Sequence, residues 1–168
     1  VAVLKFYGEA VEVEEDIEDV TNVAYKKPNI TARYADGSSM SAVNTQRPLT
    51  MAVDGIKTTS DNYADMGSDS DVAGTTSAYF QVDLDDVYSI SEVAIYRYWK
   101  DGRTYGNSVI AISKTEDFKD AYVVYNTDVN NIHGFGIGSD EAYQETSAGK
   151  SWSFDEVQGR YVRVYMSG

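Results

Sequence analysis

Residues 79–84 read Tyr-Phe-Gln-Val-Asp-Leu, residues 90–99 read Ile-Ser-Glu-Val-Ala-Ile-Tyr-Arg-Tyr-Trp, and residues 108–113 read Ser-Val-Ile-Ala-Ile-Ser. In the first, Phe80, Val82 and Leu84 alternate with Gln81 and Asp83, the period-2 pattern of a half-buried strand. A short acidic turn follows. In the second, Val93 and Ile95 face one way, Ala94 and Tyr96 the other. Val109 to Ile112 is apolar on both faces, which predicts a central strand. Between the last two lies a polar loop, Lys100-Asp-Gly-Arg-Thr-Tyr-Gly-Asn107. Loops held by a rigid sheet are where binding residues concentrate.

Working outward, residues 1–8 predict a strand closed by Gly8. Residues 9–19 carry Glu9, Glu12, Glu14, Glu15, Asp16, Glu18 and Asp19 with no base. Such a run is an acidic linker or a charged edge strand that blocks edge-to-edge pairing. From Thr21 the character changes. Residues 22–28 and 30–34 read as extended chain, and 35–48 as a polar loop. Residues 51–56 form a short apolar run broken by Asp54-Gly55, a turn signal. Residues 57–78 are a long polar excursion with Tyr63 and Met66. Residues 121–125 predict a strand, 126–151 a second long loop, and 152–154 and 161–165 closing strands. No window carries a convincing helical stripe. Short strands joined by Gly/Ser/Asp loops predict an all-β antiparallel sandwich or jelly roll.

The 168 residues suit one domain with a flanking segment, and 42% hydrophobic with 24% charged residues is an ordinary globular balance. Tyr is over-used, at 14 residues; its ring and hydroxyl suit both wet binding surfaces and strand packing. A net charge of −13 argues against nucleic acid and anionic membrane as partners. The chain has no Cys, so disulfides, thiol catalysis and zinc–thiolate sites are excluded. No stretch approaches the ~18 apolar residues of a membrane span. No signal peptide opens the chain, which suggests a mature fragment or an excised module. His133 is the only histidine, and no Gly-x-Ser-x-Gly elbow accompanies it. Phosphate-loop and dinucleotide fingerprints are also absent. The expectation is a non-catalytic protein.

Six pieces of the chain stand in the order seen in discoidin domains, also called coagulation factor 5/8 type C domains. They are Asn22-Val-Ala…Lys27-Pro28, Ala52-Val-Asp-Gly55, Tyr79-Phe-Gln-Val-Asp-Leu84, Ile90-Ser-Glu-Val93, Val109-Ile-Ala-Ile-Ser113 and Gly159-Arg-Tyr-Val-Arg-Val-Tyr165. Residues 21–168 resemble this family, whose bacterial members include family 32 carbohydrate-binding modules. The resemblance implies a galactose-binding-domain-like jelly roll of about eight main strands. It implies a non-catalytic module on a larger secreted or surface bacterial protein, tethering it to glycans through terminal galactose or N-acetylhexosamine. Family members continue past the Tyr-Val-Arg strand into one more strand. Here residues 3–8, Val-Leu-Lys-Phe-Tyr-Gly, resemble that strand. Residues 1–20 are therefore either the tail of a preceding domain or a permuted last strand with its linker; an unpaired edge favours the second.

The resemblance also implies sites. Family members hold a structural Ca²⁺ in the turn spanning residues 51–59, where Asp54 and Thr59 match the family's Asp and Thr, and Met51 and Ile56 would give carbonyls. Ca²⁺ takes six to eight oxygens. The family adds a Glu from its last strand, and here Val3 stands at that position. The alternative is an ordinary Asp-Gly turn in which Asp54 caps its own backbone. For a sugar, Trp99 and Tyr105 would supply a stacking ring and Arg103 and Asn107 the fork and the amide. His133 and Tyr63, on the two long loops, are candidates for the rim. The alternative is that Trp99 packs in the core and Arg103 pairs with Asp101. The competing function is a structural or protein-binding module of the same fold.

Overall fold

The computed structural model describes the backbone of residues 3–10, and residues 21–40, 44–57, 62–66 and 76–167 in full. The elements are β1 (Val3–Ala10), β2 (Ile30–Tyr34), a 3-10 turn (Leu49–Val53), β3 (Ala78–Tyr96), β4 (Thr104–Tyr105), β5 (Val109–Ser113), β6 (Tyr122–Asn126), β7 (Tyr143–Gln144) and β8 (Lys150–Met166). Among the described residues every strand pairing is antiparallel. The described residues form an all-β sandwich, as the strand pattern predicts.

The stretches 79–84 and 90–99 were expected as two strands across a turn. They form one strand, β3, with a corner in it. At the corner Asp85 is left-handed, with φ 72°. Asp83 Oδ1 accepts the Asp85 N–H at 2.9 Å, and Asp86 Oδ1 accepts the Val87 N–H at 2.7 Å. These short carboxylates turn the backbone locally. β8 bends opposite it, where the register jumps from Asp83↔Tyr161 to Tyr88↔Gly159. Arg160 clamps the corner, its Nε and Nη2 donating to the two Asp83 oxygens at 2.8 and 2.9 Å. The expected strands 152–154 and 161–165 are likewise the two arms of β8.

The first arm of β3 pairs with β2 and with the 161–166 arm of β8, which continues through β5 to β6. The second arm pairs with β1, from Val3↔Tyr96 to Ala10↔Tyr88, and with the 150–159 arm of β8. The two layers share one core. Phe80, Val82 and Leu84 from one arm meet Ile90, Val93 and Ile95 from the other, with Ile110, Ile112, Val162 and Val164. All are 0–1% exposed, and each such side chain contributes roughly 1.5–3 kcal/mol over leaving it in water. β5 lies between β8 and β6 and all five of its residues are buried. Its second face, Val109 and Ala111, packs under Tyr79, Phe118 and Tyr165. The central position expected from its apolar pattern holds. Of the acidic run, Glu9 pairs in register with Ser89; residues 11–20 lie outside the described residues.

Candidate carbohydrate site

Because β3 doubles back at its corner, its two ends reach the same end of the sandwich. Phe80 lies near its start, Arg97 just past its end, and Met166 at the end of β8. Ser108 immediately precedes β5, and Tyr63 to Met66 cross the opening from the long excursion. Together with Tyr98, Asp101, Arg103, Tyr105 and Gly106 they enclose a cleft of about 470 Å³. Small-molecule sites run to roughly 300–1,000 Å³.

The walls are aromatic. Tyr63 and Tyr98 form a tilted pair with ring centroids 5.6 Å apart. Arg47 stacks on Tyr63 at 3.8 Å, and Arg103 lies 5.1 Å from the Tyr98 centroid. The Tyr105 hydroxyl donates to the Tyr98 carbonyl at 2.8 Å, tying the loop to the strand end. Burial raises the Tyr105 hydroxyl pKa, so it acts as a neutral donor. Arg103 grips Asp101, its Nε donating to both carboxylate oxygens at 2.9 Å and Nη2 also bonded. That fork holds the Asp101 carboxyl below the ordinary carboxylate range.

Arg97 forms the floor and is 2% exposed. Nη2 donates to Ser108 Oγ at 2.8 Å, and Ser108 Oγ in turn donates to the Tyr165 carbonyl at 3.1 Å. The guanidinium carbon is 4.8 Å from the Tyr105 centroid and 6.0 Å from that of Tyr143. Among the described residues Nε is buried without a hydrogen-bond partner. The buried Glu145 takes the Arg97 backbone N–H at 3.3 Å and the Tyr143 hydroxyl at 3.2 Å, not the guanidinium. β4 and β7 pair Tyr105 with Tyr143 in register, bringing the 126–151 loop to the back of the site.

Of the residues singled out from the sequence, Tyr63, Arg103 and Tyr105 line the cleft; Trp99, Asn107 and His133 do not. Trp99 is half-buried and opens a turn closed by the Gly102 N–H on its carbonyl at 3.1 Å. Tyr98, its neighbour, is the aromatic wall instead. Asn107 is a left-handed residue, φ 43°, whose carbonyl accepts from His133 Nε2 at 2.7 Å. His133 is 7% exposed, and its Nδ1 lies 2.6 Å from Ser77 Oγ. Since a carbonyl only accepts, Nε2 carries the proton and Nδ1 accepts from Ser77. The ring packs 5.6 Å from Tyr165. With both nitrogens bonded inside the protein, His133 ties loops together and offers nothing to a ligand at the rim; burial lowers its pKa.

Around the candidate calcium turn, Asp54 Oδ1 accepts the Ile56 N–H at 2.8 Å and Oδ2 accepts from Asn62 Nδ2 at 3.0 Å. Gly55 takes φ 85°. Thr59 lies outside the described residues. Asp54 therefore caps its own turn, and it is the one carboxylate among the four candidate ligands. Among the described residues no three His, Cys, Asp or Glu cluster as metal ligands. With both Asp54 oxygens bonded within the protein, a cation here would need backbone carbonyls for most of its six to eight oxygens.

No protein-family model matches the chain, and no curated protein is similar to it in sequence. Solved structures do match in fold. The Clostridium perfringens module CpGH89CBM32-4, in complex with GlcNAc-α-1,4-galactose, superposes with a TM-score of 0.56 at 12% identity, over 91% of this chain and 83% of that one. Chitosan-binding module 1 of a Paenibacillus chitosanase/glucanase gives 0.51 at 18% identity, over 88% and 86%. Module 2 of that enzyme, in complex with chitotriose, gives 0.51 at 20% identity, over 87% of each. In fold, this chain is a discoidin-like β-sandwich of the kind these carbohydrate-binding modules share.

Proposed function

We propose that the chain is a non-catalytic carbohydrate-binding module that holds a terminal sugar in the Arg97–Tyr98 cleft and tethers a secreted or surface bacterial protein to glycans. The observation that carries this is a cleft joining three tyrosine rings to a buried guanidinium. A pyranose presents an apolar C–H face suited to a ring and adjacent hydroxyls suited to planar donors and acceptors. Tyr63, Tyr98 and Tyr105 supply the first; Arg97, Arg103 and Asp101 supply the second. Galactose and N-acetylhexosamine are the proposed sugar class, and the fold neighbour bound to GlcNAc-α-1,4-galactose supports it. A cleft this open buries little of a monosaccharide, so millimolar to sub-millimolar affinity is expected. A structural Ca²⁺ at Met51, Asp54, Ile56 and Thr59 belongs to the same proposal. It rests on Asp54 and the carbonyls of its turn, with no part in contacting the sugar.

The test is a glycan array probed with the chain, its Tyr63→Ala variant and its Trp99→Ala variant. The expected result is a galactose or hexosamine hit that Tyr63→Ala weakens about 2- to 13-fold, as loss of a stacking ring at ~0.5–1.5 kcal/mol implies. Trp99→Ala keeps the hit. Loss with Trp99→Ala and not Tyr63→Ala would move the site away from this cleft. A blank array favours a protein-docking module instead. One observation supports that second function: Val129 and Ile137, on the 126–142 loop, are 69% and 76% exposed.

A further inference from the structure

Arg97 is the one described arginine that is buried, and its partners are few. A buried charge normally has an ion pair and a full set of hydrogen bonds, because desolvating it uncompensated is costly. Arg160 has Asp83 and Arg103 has Asp101. The Arg97 guanidinium has one hydroxyl, Ser108 Oγ, and the faces of two tyrosines. Nε is sealed without a partner; Nη1 likewise bonds to no described protein atom, yet is not sealed, and the residue lines the cleft. The described carboxylates within reach of the cleft are committed elsewhere. Asp101 is held by Arg103, Asp65 accepts from Asn44 Nδ2 at 3.2 Å, and Glu145 takes a backbone N–H and a phenol.

We infer that the sugar the cleft prefers is acidic, carrying a carboxylate that pairs with the Arg97 guanidinium; this rests on the sugar-binding function proposed above. A carboxylate oxygen can accept from the unsealed Nη1, and such a charge-assisted hydrogen bond is stronger than one to a neutral hydroxyl. The net charge of −13 opposes an anion at long range. That opposition is screened beyond about 8 Å at physiological salt and does not cancel a contact at hydrogen-bond distance.

The experiment is isothermal titration of the full chain with galacturonate against galactose and glucuronate against glucose, pairs that differ only at C6. At least one acid should bind about tenfold or more tightly than its neutral partner. Arg97→Gln should erase that preference and Arg97→Lys should keep part of it, with circular dichroism checking that each variant is folded. If Arg97→Gln does not fold, the paired sugars on the unaltered chain decide. Neutral sugars binding as well as or better than the acids would overturn the acidic preference and leave sugar binding standing. A blank for these four and for the whole array would overturn both.

Discussion

Replacing Gly159 by Ala probes the corner on which the whole site depends. Gly159 sits where β8 turns between the layers, and a Cβ built there collides with Ile112 Cγ2 and stands 3.3 Å from Ile90 Cδ1. Ile112 belongs to β5 in one layer and Ile90 to the second arm of β3 in the other, at 1% and 0% exposure. Neither can swing into solvent. Overpacking of this kind costs about 1–3 kcal/mol. Against it, Ala restricts the unfolded chain and returns about 0.4–1 kcal/mol. The steric cost wins by up to about 2.6 kcal/mol, which for a chain of this length is a fall in Tm of up to roughly 10 °C. Gly106→Ala is the control, because its Cβ would meet only Ala142 Cβ at 4.0 Å. Differential scanning calorimetry of the two variants and the parent makes the comparison. A Gly159→Ala protein melting at or above the parent would refute the crossing of β8 between Ile90 and Ile112, and with it the route that brings both ends of β3 to the cleft.

Two further outcomes follow from the same contacts. His133 is held neutral by burial, so its folded pKa lies below its ordinary value of about 6.5. The unfolded chain then binds the extra proton first, and stability is full above pH ~6.5 and falls as pH drops from there toward the folded pKa. As the only histidine, it gives one imidazole signal by NMR; a midpoint at or above 6.5 would contradict its burial. Calcium is checked by melting with Ca²⁺ and then EDTA. A site at 100 times its dissociation constant adds about 2.7 kcal/mol, or roughly 5–11 °C, whereas an unchanged Tm would remove Ca²⁺ from the proposal.

Period-2 alternation made most of the strands legible, and β5 read as central because Val109 to Ile112 has no polar face. The corners of β3 and β8 were not legible as corners. A cluster such as Asp83, Asp85 and Asp86 marks a turn equally well whether the chain reverses or bends between layers, and only the Arg160 fork and the register jump distinguish the two. The two-residue pair of β4 with β7 is too short to leave a pattern. Tyr63, Arg103 and Tyr105 were found because they lie on polar loops. Arg97 carried a signal that went unused. Val93 and Ile95 set the inward parity of β3, and the next inward position holds an arginine, a charge in a core register. Trp99 drew attention by its size, yet it opens the turn closed by Gly102, where the alternation that reaches Arg97 no longer sets orientation. His133, on a glycine-bearing loop, looked like rim; its burial depends on Ser77 and the Asn107 carbonyl, partners distant in sequence.

The most direct test of sugar binding at this cleft is amide chemical-shift mapping of the labelled chain during titration with an array hit. The account predicts saturable shifts centred on Ala64, Asp65, Met66, Arg97, Tyr98 and Gly106, with Val129 and Ile137 unmoved. Shifts confined to the 126–142 loop or the outer face of β6, with the cleft silent, would contradict it.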